Sequence, residues 1–175
     1  LPQCSPHEFL INQDCFASSQ PIINTACTNF KVTVYFSLFD FITDKNSVNL
    51  FLECKDEEIN ISIDQFWIKQ LVSNLINNAL KHSRAKNIRV KINSEKTINS
   101  KNLVISVIDD GVGVPPKELS SIFEAFKQSS NVNESLKGSG LGLAICREIV
   151  VAHGGEIWAT NNETGGTNIS FSLAR

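Results

Sequence analysis

Four polar residues, Gln70, Asn74, Asn78 and Lys81, recur at intervals of four, four and three positions. That spacing places them on one face of a helix, with Asn77 beside them. Asparagine is a poor interior helix residue because its amide competes for backbone hydrogen bonds. A row of neutral amide oxygens has one clear chemical use. Mg²⁺ takes hard oxygen ligands and keeps several of its waters, so Asn78 is a candidate metal ligand. Lys81, one turn on, is placed to meet a phosphate. The same row also reads as a solvated polar face, and the helix alone does not decide between the two.

A second candidate is the carboxylate of Asp109, which ends the apolar run Leu103 to Ile108 and is followed by Gly111 and Gly113. A buried carboxylate accepts a hydrogen bond well. The exocyclic amine of adenine is a fitting donor, and glycines let backbone and a flat base approach closely. An ordinary Asp/Gly turn is the alternative, and Asp110 is assigned to turn chemistry.

The third candidate is Gly138-Ser139-Gly140-Leu141-Gly142-Leu143. It places small residues at a helix start, where free N–H groups and the positive end of the dipole favour phosphate. It is neither a P-loop nor a dinucleotide-binding fingerprint, since Leu143 takes the third glycine position. Lys137 and Lys127 flank the stretch and could neutralise phosphate charge. On its own the pattern is weak.

The elements that must position these groups follow from the periodicity. Phe30 to Asp44 has apolar spacing compatible with a helix. Val48–Cys54 reads as a strand, and Ile59–Ile63 as a second short one. Asp64 is the expected N-cap of a long helix to His82, with Ile68, Leu71, Val72, Leu75 and Ala79 as its apolar stripe. Ile88–Ile92 and Leu103–Ile108 are expected strands around a polar turn from Ser94 to Asn102. Lys117–Phe126 reads as a short helix, and Lys127–Lys137 as a mobile loop. A helix from the glycine loop to His153 ends at Gly154-Gly155, with His153 balancing its dipole. Glu156–Thr160 and Asn168–Leu173 close the chain as strands. The expected class is α+β, a sheet covered by helices on one face.

The chain has 175 residues and a net charge of −2, which fits one domain plus an extra segment. That balance points to neither nucleic acid nor a membrane surface. The five cysteines show no C-x-x-C pair, which argues against zinc and against a disulfide framework. Cys146 fits a buried core position, and a reducing, cytoplasmic compartment is expected. No apolar run is long enough to span a bilayer. The absence of any Met suggests a fragment of a longer protein whose membrane anchor could lie elsewhere. Residues 1–29, with three prolines and three cysteines, read as a linker or the remnant of a preceding helical domain, and 30–175 as the functional domain.

Taken together, the motifs resemble the catalytic ATP-binding domain of bacterial sensor histidine kinases, within the gyrase, Hsp90, histidine kinase and MutL superfamily. Asn74-Leu75-Ile76-Asn77-Asn78-Ala79-Leu80-Lys81-His82 resembles the N box and Asp109 to Gly113 the G1 box. Ile122-Phe123-Glu124-Ala125-Phe126 resembles the F box, Lys137 to Leu143 the G2 box, and Gly165-Gly166-Thr167 the last glycine box. The resemblance runs from about Phe30 to Leu173, with the boxes in order.

The resemblance implies a two-layer α/β sandwich of the Bergerat type, with a mixed, mostly antiparallel sheet and an ATP lid. It implies ATP and Mg²⁺ as cofactors. Asp109 would bond the adenine amine, Asn78 would hold Mg²⁺, and Lys81 a phosphate. Gly138, Gly140 and Gly142, with Ser139, Leu141 and Leu143 in the same box, would offer amides to the phosphates, assisted by Lys137. Gly111 and Gly113 would admit the base and Thr167 would close its pocket. His82 would line the ribose or base side, a helix-end histidine being the alternative, and Phe126 would anchor the lid. Water-hydrolysing members of the superfamily carry a Glu four residues before the Mg²⁺ asparagine. Here that position is Asn74, which favours phosphoryl transfer to a protein.

The family's acceptor histidine lies on a dimerising two-helix domain. His7-Glu8-Phe9-Leu10 has only the first two elements of its box, so the acceptor is expected outside this chain. The implied partners are that domain and a response-regulator receiver domain, and the isolated domain is expected to be a monomer. An anti-sigma-factor type serine kinase and a non-catalytic nucleotide-binding module are the alternatives.

Overall fold

The computed structural model describes residues 8–10, 48–54, 61, 63–96, 101–130 and 139–174. The expected helix at Phe30–Asp44, the acceptor candidate His7, and Lys137 and Gly138 lie outside the described residues. So do most of residues 1–29.

Eight elements are present among the described residues. They are β1 (Glu8–Leu10), β2 (Asn49–Cys54), α1 (Gln65–His82), β3 (Asn87–Lys96), β4 (Lys101–Asp109), α2 (Gly142–Ala152), β5 (Ile157–Asn161) and β6 (Thr167–Ala174). One sheet runs in the order β1-β2-β3-β4-β6-β5. Only β2 and β3 pair in parallel, across the crossover made by α1, and the other neighbours are antiparallel. The architecture is the mixed-sheet α/β sandwich implied above, with α1 and α2 contributing to a single core against the sheet.

Strand alternation sorts that core. Leu50 and Leu52 of β2, Ile88, Val90 and Ile92 of β3, Leu103, Ile105 and Val107 of β4, and Phe171 and Leu173 of β6 meet the helices. From α1 come the expected stripe residues plus Ile76, and from α2 come Cys146, Ile149 and Val150. The registers Ile105↔Phe171 and Val107↔Ile169 keep these side chains on one face, and a one-residue slip would turn them all outward.

Asp64 caps α1 as expected. Its Oδ1 accepts from the N–H of Phe66 at 3.0 Å and of Trp67 at 3.3 Å. The C-terminal end of α2 uses Gly154 at φ +68°, with the Gly155 N–H donating to Val150 O at 3.0 Å.

Three expectations need correction. Of Ile59–Ile63, Ile61 and Ile63 are described and neither is in a strand; both pack against the core edge instead. The stretch Ser94–Asn102 is not a turn throughout. β3 runs on to Lys96 and β4 starts at Lys101, because backbone pairing to Lys96↔Lys101 outweighs the polar side chains. Lys117–Phe126 is a chain of turns, in which Glu118 N–H bonds Pro115 O and Glu124 N–H bonds Ser121 O. His153 lies at the C-cap of α2, the helix end where it was expected, with Nδ1 2.8 Å from Ile149 O and its Nε2 accepting from Asp64 N–H at 3.3 Å. The ring thus cross-links the end of α2 to the start of α1.

Candidate nucleotide site

The site gathers where α1 ends, β4 ends, α2 begins and the β5–β6 hairpin turns. Asp109 is the last residue of β4 and only 7% exposed. Burial raises its carboxyl pKa above the usual range. Two backbone donors pull the other way, the N–H of Gly111 (2.9 Å to Oδ1) and the N–H of Thr167. An isolated buried carboxylate costs several kcal/mol, and hydrogen bonds to a charged group return roughly 1.5–3 kcal/mol each. The donors therefore make an ionised Asp109 tenable. They leave part of its acceptor capacity for a further donor, since a carboxylate offers about four lone-pair sites.

Glycine is required around this carboxylate for steric reasons. A Cβ on Gly111 would stand 2.0 Å from the carbonyl oxygen of Ser83, and one on Gly166 (φ +88°) 2.0 Å from that of Asp109. These contacts let the G1 turn lie directly on the α1 terminus and on the hairpin. Ser83, the C-cap of α1, holds the junction, with Oγ bonded to Ala79 O and accepting from Ala85 N–H at 3.0 Å. Its own carbonyl accepts from Val112 N–H at 2.9 Å. Asp110 has the turn role expected of it. Its Oδ1 accepts from the N–H groups of Lys86 and Asn87, and its Oδ2 from the Asn87 side chain at 2.7 Å.

The N-terminus of α2 faces Asn78. A Cβ on Gly142, the first residue of α2, would lie 4.0 Å from Asn78 Nδ2. No side chain caps this end, whose cap residue is Leu141. The first N–H groups of α2 thus open toward the amide of Asn78, an oxygen donor of the type Mg²⁺ takes, beside amides of the type phosphate takes. The residues present fit both groups. Ser139 Oγ accepts from Leu141 N–H at 3.3 Å. Gly140 holds φ +70°.

The other expected site residues fall as follows. Lys81 is exposed on the turn after Asn78. His82 is half-buried, and its Nδ1 is buried without a hydrogen-bond partner. Burial, and then the charge of Lys81, lower its pKa and favour the neutral ring. Thr167 is buried beside Asp109. Gly113 takes φ +73° against Asn161. Asn74 faces α2, where its side chain hydrogen-bonds the Cys146 thiol and its Oδ1 accepts from Gln70 at 3.3 Å.

Leu143 packs its side chain on the core, so its backbone amide is the group left to serve a ligand. Phe126 contacts Gly140 without burying its ring. Its ring is 76% exposed and its φ is +64°, and the aromatic that is buried in this segment is Phe123, at 6%. Phe126 holds its neighbour through the backbone, with its N–H on Gly140 O at 3.0 Å.

Sequence reading missed Ser83, Asn161 and Asn162. Asn162 Nδ2 donates to Asp109 O at 2.9 Å, and the Asn161 amide makes two bonds to Val114. The pair looked like hairpin-turn residues, and only the fold brings them to the G1 turn. Glu118 was missed too. Its carboxylate takes the hydroxyls of Ser129 (2.8 Å) and Ser130 (2.6 Å) and the N–H of Ser130, closing the turns that lead to residue 131. An apolar groove of about 660 Å³, lined by Trp67, Phe123, Ile145 and Ile149 among others, includes neither Asp109 nor Asn78.

Known proteins share the family and the fold of this chain. The family model described as histidine kinase-, DNA gyrase B-, and HSP90-like ATPase matches residues 63–175. The sensor histidine kinase WalK of Bacillus subtilis is 38% identical over 136 residues, 75% of this chain and 22% of its own length. The sensor protein KdpD of Clostridium acetobutylicum is 38% identical over 122 residues, 69% of this chain and 13% of its own. The chain thus spans about a fifth or less of these multidomain relatives. Among solved structures, the catalytic domain of histidine kinase ThkA is 29% identical with a TM-score of 0.67, covering 87% of this chain and 98% of that one. The mycobacterial sensor histidine kinase MprB, 24% identical with a TM-score of 0.71 over 85% of this chain and 97% of that one, shares the fold. Among the described residues no helix is long and apolar enough to cross a membrane. By its family match and its relatives, this chain belongs to the histidine kinase-, DNA gyrase B-, and HSP90-like ATPase family.

Proposed function

We propose that the chain binds ATP with Mg²⁺ and presents the γ-phosphate to a histidine on a dimerisation domain outside it, as the catalytic part of a sensor kinase. What supports this reading is the buried, hydrogen-bonded Asp109 carboxylate, whose turn lies on the end of the same helix from which Asn78 meets the uncapped start of α2. Asp109 accepts from the adenine amine, against which guanine would set a carbonyl. Gly111, Gly113 and Thr167 admit and close over the base. Asn78 supplies an oxygen to the metal, and Lys81, Lys137 and the amides from Gly138 to Gly142 take the phosphates. Mg²⁺ would supply charge neutralisation at the phosphates.

No carboxylate stands at Asn74, whose amide is already bonded to Cys146 and Gln70. A strong base for water is missing there. A neutral imidazole acceptor needs none, since it owns its nucleophilic lone pair. The exposed Trp67 and Ile145 around the second groove give a helical partner domain an apolar surface to cover. In the assembled kinase the phosphate would pass on to a receiver domain.

The test mixes this chain with the separately prepared dimerisation domain of its own protein and γ-labelled ATP. Acid-labile, base-stable label on that domain is the expected result. Acid-stable label would favour a serine kinase, and nucleotide binding without any transfer a non-catalytic module.

A further inference from the structure

Besides the Thr167 N–H on the Asp109 carboxylate, three hydrogen bonds from two consecutive side chains tie the tip of the β5–β6 hairpin to the G1 turn. Asn161 ends β5, where it pairs with Thr167. Its amide reproduces a strand-like double contact, with Val114 N–H on Oδ1 at 3.0 Å and Nδ2 on Val114 O at 2.6 Å. Gly113, in a left-handed conformation, lets this happen; a Cβ there would stand 3.1 Å from Asn161 Oδ1. Asn162 Nδ2 bonds the carbonyl of Asp109 at 2.9 Å, and its backbone is closed by Gly166. The two asparagines therefore grip both ends of the 109–114 turn from the strand connection that leads into Thr167.

Asp109 and Thr167 come from strands far apart in sequence, yet both must face one base. Backbone pairing of β4 with β6 stops at Ile108↔Asn168, one residue short of them. Beyond that point the Thr167 N–H on the Asp109 carboxylate and the asparagine contacts together fix how far the G1 turn stands from the hairpin. We propose that Asn161 and Asn162 are positioning residues for nucleotide recognition, setting the spacing between the Asp109 carboxylate and Thr167 before the nucleotide arrives. This rests on the reading of Asp109 as the adenine acceptor.

The test measures ADP and GDP affinity and melting temperature for the 175-residue chain and for Asn161→Ala, Asn161→Asp and Asn162→Ala. Asp keeps the acceptor for Val114 N–H but sets an oxygen against Val114 O. Positioning predicts ADP binding about ten-fold weaker in Asn161→Ala. The preference for ADP over GDP falls with it, which a loss of stability alone would not cause. Asn161→Asp should be at least as weak. If wild type binds ADP and all three variants keep its affinity and preference, the proposal is overturned while the adenine site stands. If wild type binds no adenine nucleotide, both fall. Should the variants not fold, amide exchange of nucleotide-free wild type decides. A protected Val114 N–H supports the clamp, and one exchanging as a free loop amide overturns it.

Discussion

Phe126 and Gly140 are locked back to back. The Phe126 N–H donates to Gly140 O at 3.0 Å, both residues have positive φ, and a Cβ on Gly140 would stand 2.9 Å from Phe126 Cα. The contact fixes one end of the segment preceding α2 to the start of the segment that leaves Phe126. Gly140→Ala should therefore cost about 1–2 kcal/mol for the left-handed backbone alone. The clash should also displace the start of α2, so nucleotide affinity should fall more than the melting temperature implies. Calorimetric titration beside thermal melts checks this.

The two aromatics of the same segment should behave oppositely. Phe123 is 6% exposed and Phe126 is 76%. Phe123→Ala should cost about 3 kcal/mol through the cavity it leaves. Phe126→Ala should shift stability by less than about 0.5 kcal/mol. Urea denaturation of both variants measures the contrast.

Asp109 and Asp110 are neighbours with opposite pH behaviour. Burial raises the Asp109 pKa. Its contribution to nucleotide-free stability is then fully present below the ordinary carboxylate range and is lost as pH rises through the raised value. Burial would raise Asp110 as well, but the donors on Asn87 and Lys86 outweigh it and hold the pKa low. Its contribution is present above the ordinary range and lost as pH falls through the lowered value. Melting curves against pH should flatten in the upper window for Asp109→Asn and in the lower one for Asp110→Asn. ADP affinity should weaken as acid reaches the raised Asp109 value.

Cys146 should be chemically silent. Burial pushes its thiol up to about 12, and the residue is fully buried between the helices. A thiol reagent at pH about 8, where a free cysteine is substantially thiolate, should leave it unmodified in the folded chain and label it in denaturant. Mass spectrometry of the labelled peptide reads the difference.

Much of this was legible in the sequence because the physics was local. The cap at Asp64, the α1 stripe, the end of α2 at Gly154 and the apolar β4 each depend on residues within a few positions of one another. The facing of Gly142 and Asn78 was legible only through the order of the motifs. What escaped depended on distant partners. Ser83, Asn161 and Asn162 carry ordinary side chains in ordinary turns, and only the sheet register brings them to Asp109. That Phe126 would meet Gly140 through its backbone, with its ring exposed, was likewise not legible, because it depends on a left-handed φ and on a distant glycine. The false turn at Ser94–Asn102 shows strand pairing overriding side-chain polarity.

The central claim is that the Asp109 carboxylate reads adenine, and ADP–Mg²⁺ titration of wild type and Asp109→Asn tests it most directly. Two backbone N–H groups, those of Gly111 and Thr167, already demand acceptors there. The substituted amide would satisfy them with its oxygen and turn its NH₂ against the adenine amine. Affinity should drop by about 2–3 kcal/mol, roughly 30- to 150-fold, with the melting temperature equal to or above wild type because a buried charge is gone. Unchanged ADP affinity in the folded variant would contradict the account.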